Sequence, residues 1–391
     1  MSDAFPELPG AAAVIGAALA EGVAPAAEAA VFRGGELVHL SRGGAAALAP
    51  QPRALGPQDL FDVASLTKVV CTATAAALLA GEGRLAVDEP VARRLPAFEA
   101  AGKERVTVGQ LLAHSSGLPA WRPYYERVRR DPVAAPAFLP PAERPPDLAA
   151  AFRRGRALVE ELVCAEPLEA APGARAVYGD SGFLALGFLL ERASGTALDA
   201  LFAERIAGPL GLGDTLYVRE GCARDARGGE RTFAATERCE HRGEVNCGSV
   251  NDDNAYAAGG VAGHAGLFSS ARDVAALGQA WLDALHGRRG LVDPSVAREF
   301  ARRDPTPGST RALGWDTPSP EGSTLGSRLG RGSRGAIGHL GYTGCSLWID
   351  IDLELVCVLL TNHVHPAGRR PAQLLGLRQR FHDAVAEAVG A

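Results

Sequence analysis

The hydrophobic pattern of this chain has one run without a polar face. It opens at Phe61-Asp62-Val63-Ala64-Ser65-Leu66-Thr67-Lys68 and reaches Ala80. Leu66, Val69, Val70, Ala73, Ala76, Ala77, Leu78 and Leu79 surround the helical wheel, which predicts a helix buried on all sides. Gly81 and Gly83 end it. Elsewhere the period drops to two. Residues 27–33 and 36–40 flank Gly34-Gly35, a hairpin signal. Residues 345–351 and 355–361, joined by Asp352-Leu353-Glu354, read as an antiparallel pair. The second of these is apolar on both faces and is expected at the centre of a sheet.

Helical patterns cover residues 148–162, 183–193, 271–286 and 371–389, and a short surface helix is expected over 11–20. Residues 313–316 suggest a strand. Six prolines between Pro132 and Pro146 forbid both helix and central strand, so 121–147 is expected to be an ordered loop or lid. Strands near both chain ends around a helical middle predict an α+β fold. One antiparallel sheet is assembled from residues 1–64 and 305–391 and flanked by helices, with 65–304 forming a mostly helical lobe of the same domain. A groove between two such lobes is the usual place for a small-molecule site.

Composition narrows the function. With 391 residues the chain can bury a large core. A net charge of -5 and no long basic cluster give no electrostatic case for nucleic acid. The seven cysteines form no tight framework and suit reduced thiols. The first residues lack the basic segment of a signal peptide and the length of a membrane span, so the expectation is a cytoplasmic protein without a membrane partner. Cys222, Cys239, His241 and Cys247 have zinc-type side chains but not zinc-type spacing, and no metal is expected. His363 and His365 read as a surface strand end. Ser181 is expected to cap the helix that follows it.

The candidate chemistry lies at the start of the apolar run. Ser65 and Lys68 are three residues apart and share one helix face. Of 40 Lys+Arg, only Lys68 and Lys103 are lysines. Arginine does not deprotonate in proteins, so it cannot act as a base in their place. A lysine inside an apolar helix needs a partner or a job. The reading is a serine nucleophile at a helix N-terminus, with a lysine that desolvation leaves neutral part of the time.

Two further stretches extend this reading: Val177-Tyr178-Gly179-Asp180-Ser181-Gly182 and Gly338-His339-Leu340-Gly341-Tyr342. With Ser65–Lys68, Tyr178–Asp180 and His339–Gly341 in this order, the chain resembles the serine β-lactamase and penicillin-binding-protein superfamily, in particular its class C-like branch of esterases and D-alanyl-D-alanine peptidases. Residues 111–119 and 259–268 extend the resemblance over nearly the whole chain. It implies a β-lactamase-like fold and a serine hydrolase acting on a small ester, amide or β-lactam-like substrate without a cofactor. Ser65 would carry the acyl group, and Lys68 and Tyr178 would share the base role, with either able to take the serine proton. The backbone N–H groups of Ser65 and Tyr342 would form an oxyanion hole. Asp180, His339 and Gly341 would meet the substrate, Gly341 by letting the strand edge come close to it. Asp180 stands where the family usually has asparagine, and His339 where lysine is common. Both departures point away from efficient β-lactam hydrolysis, because a carboxylate cannot donate and a histidine is a weaker anion clamp. A non-catalytic ligand-binding protein and a D-aminoacyl peptidase acting on wall fragments are the alternative readings.

Overall fold

The computed structural model describes residues 7–220, 231–366, 368 and 370–391. Its centre is a six-stranded antiparallel sheet in the order Ala336–Leu340, Ser346–Asp350, Leu355–Thr361, Ala26–Arg33, Glu36–Ala47, Arg53–Ala54. The two chain ends meet in its middle, where Ala27 pairs with Thr361 and Arg33 with Leu355. The doubly apolar strand is therefore central, as its pattern requires.

Strand alternation sorts the two faces. Ala27, Ala29, Val31, Leu355, Cys357 and Leu359 pack with the helices Pro9–Ala20 and Pro371–Ala388. Ala26, Ala30, Val356, Val358 and Leu360 join the larger core with the helix Ala271–Leu285. That helix sits close to the sheet at Gly278, where a Cβ would come within 2.6 Å of Val356 Cγ1. It falls in the stretch expected for the helical lobe, yet it covers the sheet.

The middle of the chain holds the helices Ala149–Ala165 and Ser181–Ser194. It is not purely helical. Asp59–Asp62, Leu267–Ser269, Leu216–Tyr217 and Thr232–Phe233 form a second, four-stranded sheet. Residues 313–316 form no strand; isolated bridges join Asp316 to Arg311 and to Gly338 at the edge of the main sheet. The proline-rich segment is ordered. A short helix, Tyr124–Val128, lies between Pro123 and Pro132, 3₁₀ turns follow at Ala135–Phe138 and Pro141–Glu143 where no helix is expected, and buried Tyr124, Tyr125, Val128, Ala137 and Phe138 hold the segment against the core. His363 and His365 are not at the surface, being 0% and 3% exposed. His363 bonds the Val23 carbonyl and the Arg370 N–H, and His365 bonds the Thr236 carbonyl and the Leu48 N–H. Both histidines tie loops together.

Candidate active site

The apolar run is indeed interior, and Lys68 through Ala77 are all buried. Ala64–Gly81 is long and apolar enough to cross a membrane, but it is packed inside the protein. It is not one α-helix. A 3₁₀ turn over Ala64–Leu66 leads into a π-turn over Lys68–Ala73 and then the α-helix Thr74–Gly81. The Thr74 hydroxyl donates to the Val69 carbonyl at 2.7 Å, the acceptor an α-helix would offer to residue 73. Trp281 Nε1 in turn donates to Thr74 Oγ1 at 2.9 Å. A single wide turn of this kind often marks a functional position in a helix.

Just upstream, Asp62 sets the entry to the turn. Its carboxylate accepts from the N–H of Ala64 at 2.8 Å and of Asn251 at 2.7 Å. Burial pushes its pKa up to about 6 despite those bonds. Ala64 takes φ +47, a conformation that a side chain makes costly and that the packing around it must hold. Ser65 follows, lining a cleft of about 580 Å³.

Lys68 is fully buried and its three N–H bonds are all used. They go to Ser65 Oγ at 2.9 Å, Tyr178 OH at 3.0 Å and Asp180 Oδ1 at 2.7 Å. The sequence spacing therefore does bring Ser65, Lys68, Tyr178 and Asp180 to one point. It misjudges the charge state. Burial pulls the lysine down, but the Asp180 carboxylate and Tyr178 outweigh it and hold Lys68 above its ordinary value. At rest it is an ammonium.

Tyr178 is placed by His114. The His114 carbonyl accepts from Val177 N–H at 2.9 Å, its Nδ1 accepts from Gly179 N–H at 3.3 Å, and its ring lies 4.8 Å from the phenol ring. Gly179 is required here, since a Cβ would sit 2.3 Å from the Ala120 carbonyl oxygen. Asp180, not Ser181, occupies the N-cap of the following helix, without a side-chain cap. Ser181 Oγ instead accepts from the Tyr124 hydroxyl at 3.3 Å.

His339 is 2% exposed and lines the cleft. Its Nδ1 donates to the Leu340 carbonyl at 2.9 Å. Burial, with Lys68 and Arg311 nearby, pushes its pKa well below the ordinary value, so the ring is neutral. Nε2 then faces inward as an unpartnered acceptor. The close approach that Gly341 permits is to Val63, whose carbonyl oxygen would lie 2.6 Å from a Cβ there. Thr343 Oγ1 donates to the Asp62 carbonyl at 2.7 Å, and Arg378 donates to the carbonyls of Gly341 at 2.9 Å and Cys345 at 2.6 Å. The strand end carrying Tyr342 is thus pinned against the turn carrying Ser65.

Several cleft residues had no assigned role in the sequence reading, although Trp121 lies in the segment 121–147 and His264 in the stretch 259–268 that it singled out. Arg311 lies 4.8 Å over the Tyr178 ring and pairs with Asp316 at 3.2 Å. Asp252 pairs with His264 at 2.8 Å; burial opposes its ionisation, but the His264 contact outweighs this and holds its pKa at about 2. Ligand atoms of Asp180, Asp252 and His264 lie within 4.8 Å of one another, with Asp180 engaged by Lys68 and Asp252 by His264. Trp121 and Glu237 complete the mouth. None of these has a local spacing signal. The candidate zinc ligands do not gather: Cys239 bonds Asp253, His241 meets Tyr125 and Arg129, and Cys247 bonds the Phe233 carbonyl. Cys222 lies outside the described residues.

The chain is similar to known proteins. The chain is 32% identical over 337 residues to the N-acetylmuramyl-L-alanine amidase of Bacillus subtilis (strain 168), covering 81% of this chain and 70% of that protein. It is 30% identical over 339 residues to a protein of Escherichia coli (strain K12) provisionally named a D-alanyl-D-alanine carboxypeptidase, covering 81% and 72%. Among solved structures, a penicillin-binding-protein homolog from Caulobacter crescentus superposes with a TM-score of 0.70 at 21% identity, covering 97% of each chain. A family VIII carboxylesterase gives 0.68 at 21% identity, covering 99% of each. These two show the same β-lactamase-like fold. The family model described as Beta-lactamase matches residues 11–379, and the chain belongs to that family.

Proposed function

We propose that the protein is a serine hydrolase that cleaves a small ester or amide through an acyl-enzyme on Ser65. The observation that carries this is the buried Lys68 ammonium bonded at once to Ser65 Oγ and Tyr178 OH. From the form in which the Lys68–Tyr178 pair has released one proton to solvent, Ser65 Oγ attacks the carbonyl carbon and its proton passes to that pair, which titrates as a unit. The same pair returns the proton to the leaving alkoxide or amine. Water then attacks the acyl-serine, gives its proton to the pair, and the acid product leaves as Ser65 is reprotonated. Negative charge develops on the substrate carbonyl oxygen, and the backbone N–H groups of Ser65 and Tyr342 receive this oxyanion. A positioned base of this kind contributes about 10²–10⁴ in rate.

Within that class, amide or ester cleavage in cell-wall fragments is the favoured reaction, as in the amidase and carboxypeptidase names of the relatives. Asp180 argues against β-lactam turnover, because its carboxylate is committed to Lys68 and cannot donate to a substrate carbonyl. A purely ligand-binding role leaves no purpose for a fully buried lysine aimed at a serine hydroxyl. Incubation with p-nitrophenyl esters and N-acetylmuramyl-L-alanine, followed by peptide mapping, tests the reading. Acyl label on Ser65 and loss of turnover in Ser65→Ala are expected; turnover that survives Ser65→Ala would overturn it.

A further inference from the structure

A buried cation stands behind the strand end that carries Tyr342. Arg378, on the helix Pro371–Ala388, is 2% exposed, and Leu374, Leu377 and Phe381 of the same helix are 0% exposed. Arginine keeps its proton in a protein, so this position holds a permanent charge whose burial is costly. One guanidinium nitrogen donates to the Gly341 carbonyl at 2.9 Å and to the Cys345 carbonyl at 2.6 Å. Both carbonyls already accept from the backbone. Gly344 N–H donates to Gly341 at 3.1 Å, and Gly341 N–H donates to Cys345 at 2.7 Å, which closes the turn between the two strands. What the guanidinium adds to this closed turn is charge.

The Gly341 carbonyl and the Tyr342 N–H belong to one planar trans peptide, in which the two groups point in opposite directions. A contact that fixes the carbonyl on the helix side therefore aims the N–H away from the helix. Both residues line the Ser65 cleft, and Arg378 does not. A cation on the carbonyl oxygen also draws electron density from the amide nitrogen and makes its N–H a stronger donor. The charge is felt as far as the cleft wall: after burial, Lys68 and Arg311, Arg378 is a further influence holding His339 below its ordinary value. We infer that Arg378 is a positioning residue of the oxyanion hole, which orients and polarises the Gly341–Tyr342 peptide from the core side of the strand. This rests on the serine-hydrolase reading and adds to it a group that never meets the substrate.

The test compares p-nitrophenyl acetate with p-nitrophenyl thionoacetate, in which sulfur replaces the carbonyl oxygen. Sulfur is the weaker acceptor, so the oxygen ester draws more on the oxyanion donors. Any loss of folded enzyme cancels in the ratio of the two kcat/KM values. Arg378→Met removes charge and donors, and Arg378→Gln keeps a donor without the charge. In both, kcat/KM for the oxygen ester is expected to fall by about tenfold or more, with a smaller fall for the thionoester, so that the oxygen-to-sulfur ratio drops. An unchanged ratio in whichever variant keeps a cooperative thermal transition would overturn the proposal and leave Arg378 a purely structural group. As a second measurement, phenylboronic acid, whose tetrahedral adduct on Ser65 places an oxygen at the same N–H, is expected to inhibit these variants about tenfold more weakly; inhibition equal to wild type would count against the proposal. Loss of turnover in Ser65→Ala with an unchanged ratio removes only the role of Arg378, whereas survival of turnover in Ser65→Ala removes the acyl-enzyme reading.

Discussion

Lys68 and Asp180 form an ion pair at 2.7 Å in which the lysine is wholly shielded from water and the carboxylate is 22% exposed. The pair explains why an asparagine-to-acid departure from the family pattern does not leave a stray buried charge. It also means that the proposed base starts the cycle holding its proton.

Replacing Asp180 by Asn should therefore move the acid limb of the pH profile. Loss of the neighbouring carboxylate lowers the proton affinity of Lys68, so the pair reaches its reactive form at lower pH. An opposite charge at this range is worth about 1–3 pKa units. The limb of kcat/KM for a neutral p-nitrophenyl ester is expected to move down by at least about one pH unit. A limb that stays put would separate Asp180 from the titration of Lys68.

Lys68→Arg keeps the charge but not the ability to give it up. The expected outcome is a fall in kcat of about 10²–10⁴. Lys68→Met, which fills similar space without charge, should be as inactive while keeping a cooperative thermal transition. An arginine variant with near-normal kcat would show that proton release from residue 68 is not needed.

Gly341→Ala places a Cβ 2.6 Å from the Val63 carbonyl oxygen, where backbone and not a flexible side-chain end must yield. The strand end carrying Tyr342 then shifts from the Ser65 turn. Misplacing one oxyanion donor costs about 10²–10³ in kcat, and overpacking costs about 1–3 kcal/mol in stability. Kinetics and thermal melts on the same preparation check both; wild-type kcat would show that the contact does not set the geometry.

Glu28, on the central strand Ala26–Arg33, is 4% exposed. Burial raises its carboxyl pKa to about 7, only partly offset by Arg42. The folded state thus binds this proton more tightly than the unfolded chain. Its contribution to stability is fully present below about pH 4.5 and is lost as pH rises towards 7. Glu28→Gln should flatten this part of the urea-stability profile and stabilise the protein at pH 8, by up to about 3 kcal/mol. A variant that is no more stable than wild type at pH 8 would contradict this assignment.

Local signals in the sequence carried much of the fold and the heart of the site. The Gly34-Gly35 turn, the doubly apolar strand ending at Thr361 and the three-residue step from Ser65 to Lys68 each follow from backbone geometry over a few residues. What stayed hidden depends on distant partners. Lys68 is charged because Asp180 arrives from 112 residues away, and no spacing rule sets that balance against burial. The π-turn arises from Thr74 and Trp281, 207 residues apart. Arg311 and Trp121 reach the cleft from loops whose paths leave no periodic trace. His363 and His365 looked exposed because a strand end usually is; here the N-terminal region folds over them.

The meeting of Ala26–Arg33 with Leu355–Thr361 has a consequence for biogenesis. During synthesis the early hairpin must wait, with one edge unsatisfied, until more than 300 further residues have emerged. The wall bearing His339 and Gly341 docks through that late pairing, so a ribosome-bound chain can hold the nucleophile turn long before it has a cleft in which to use it.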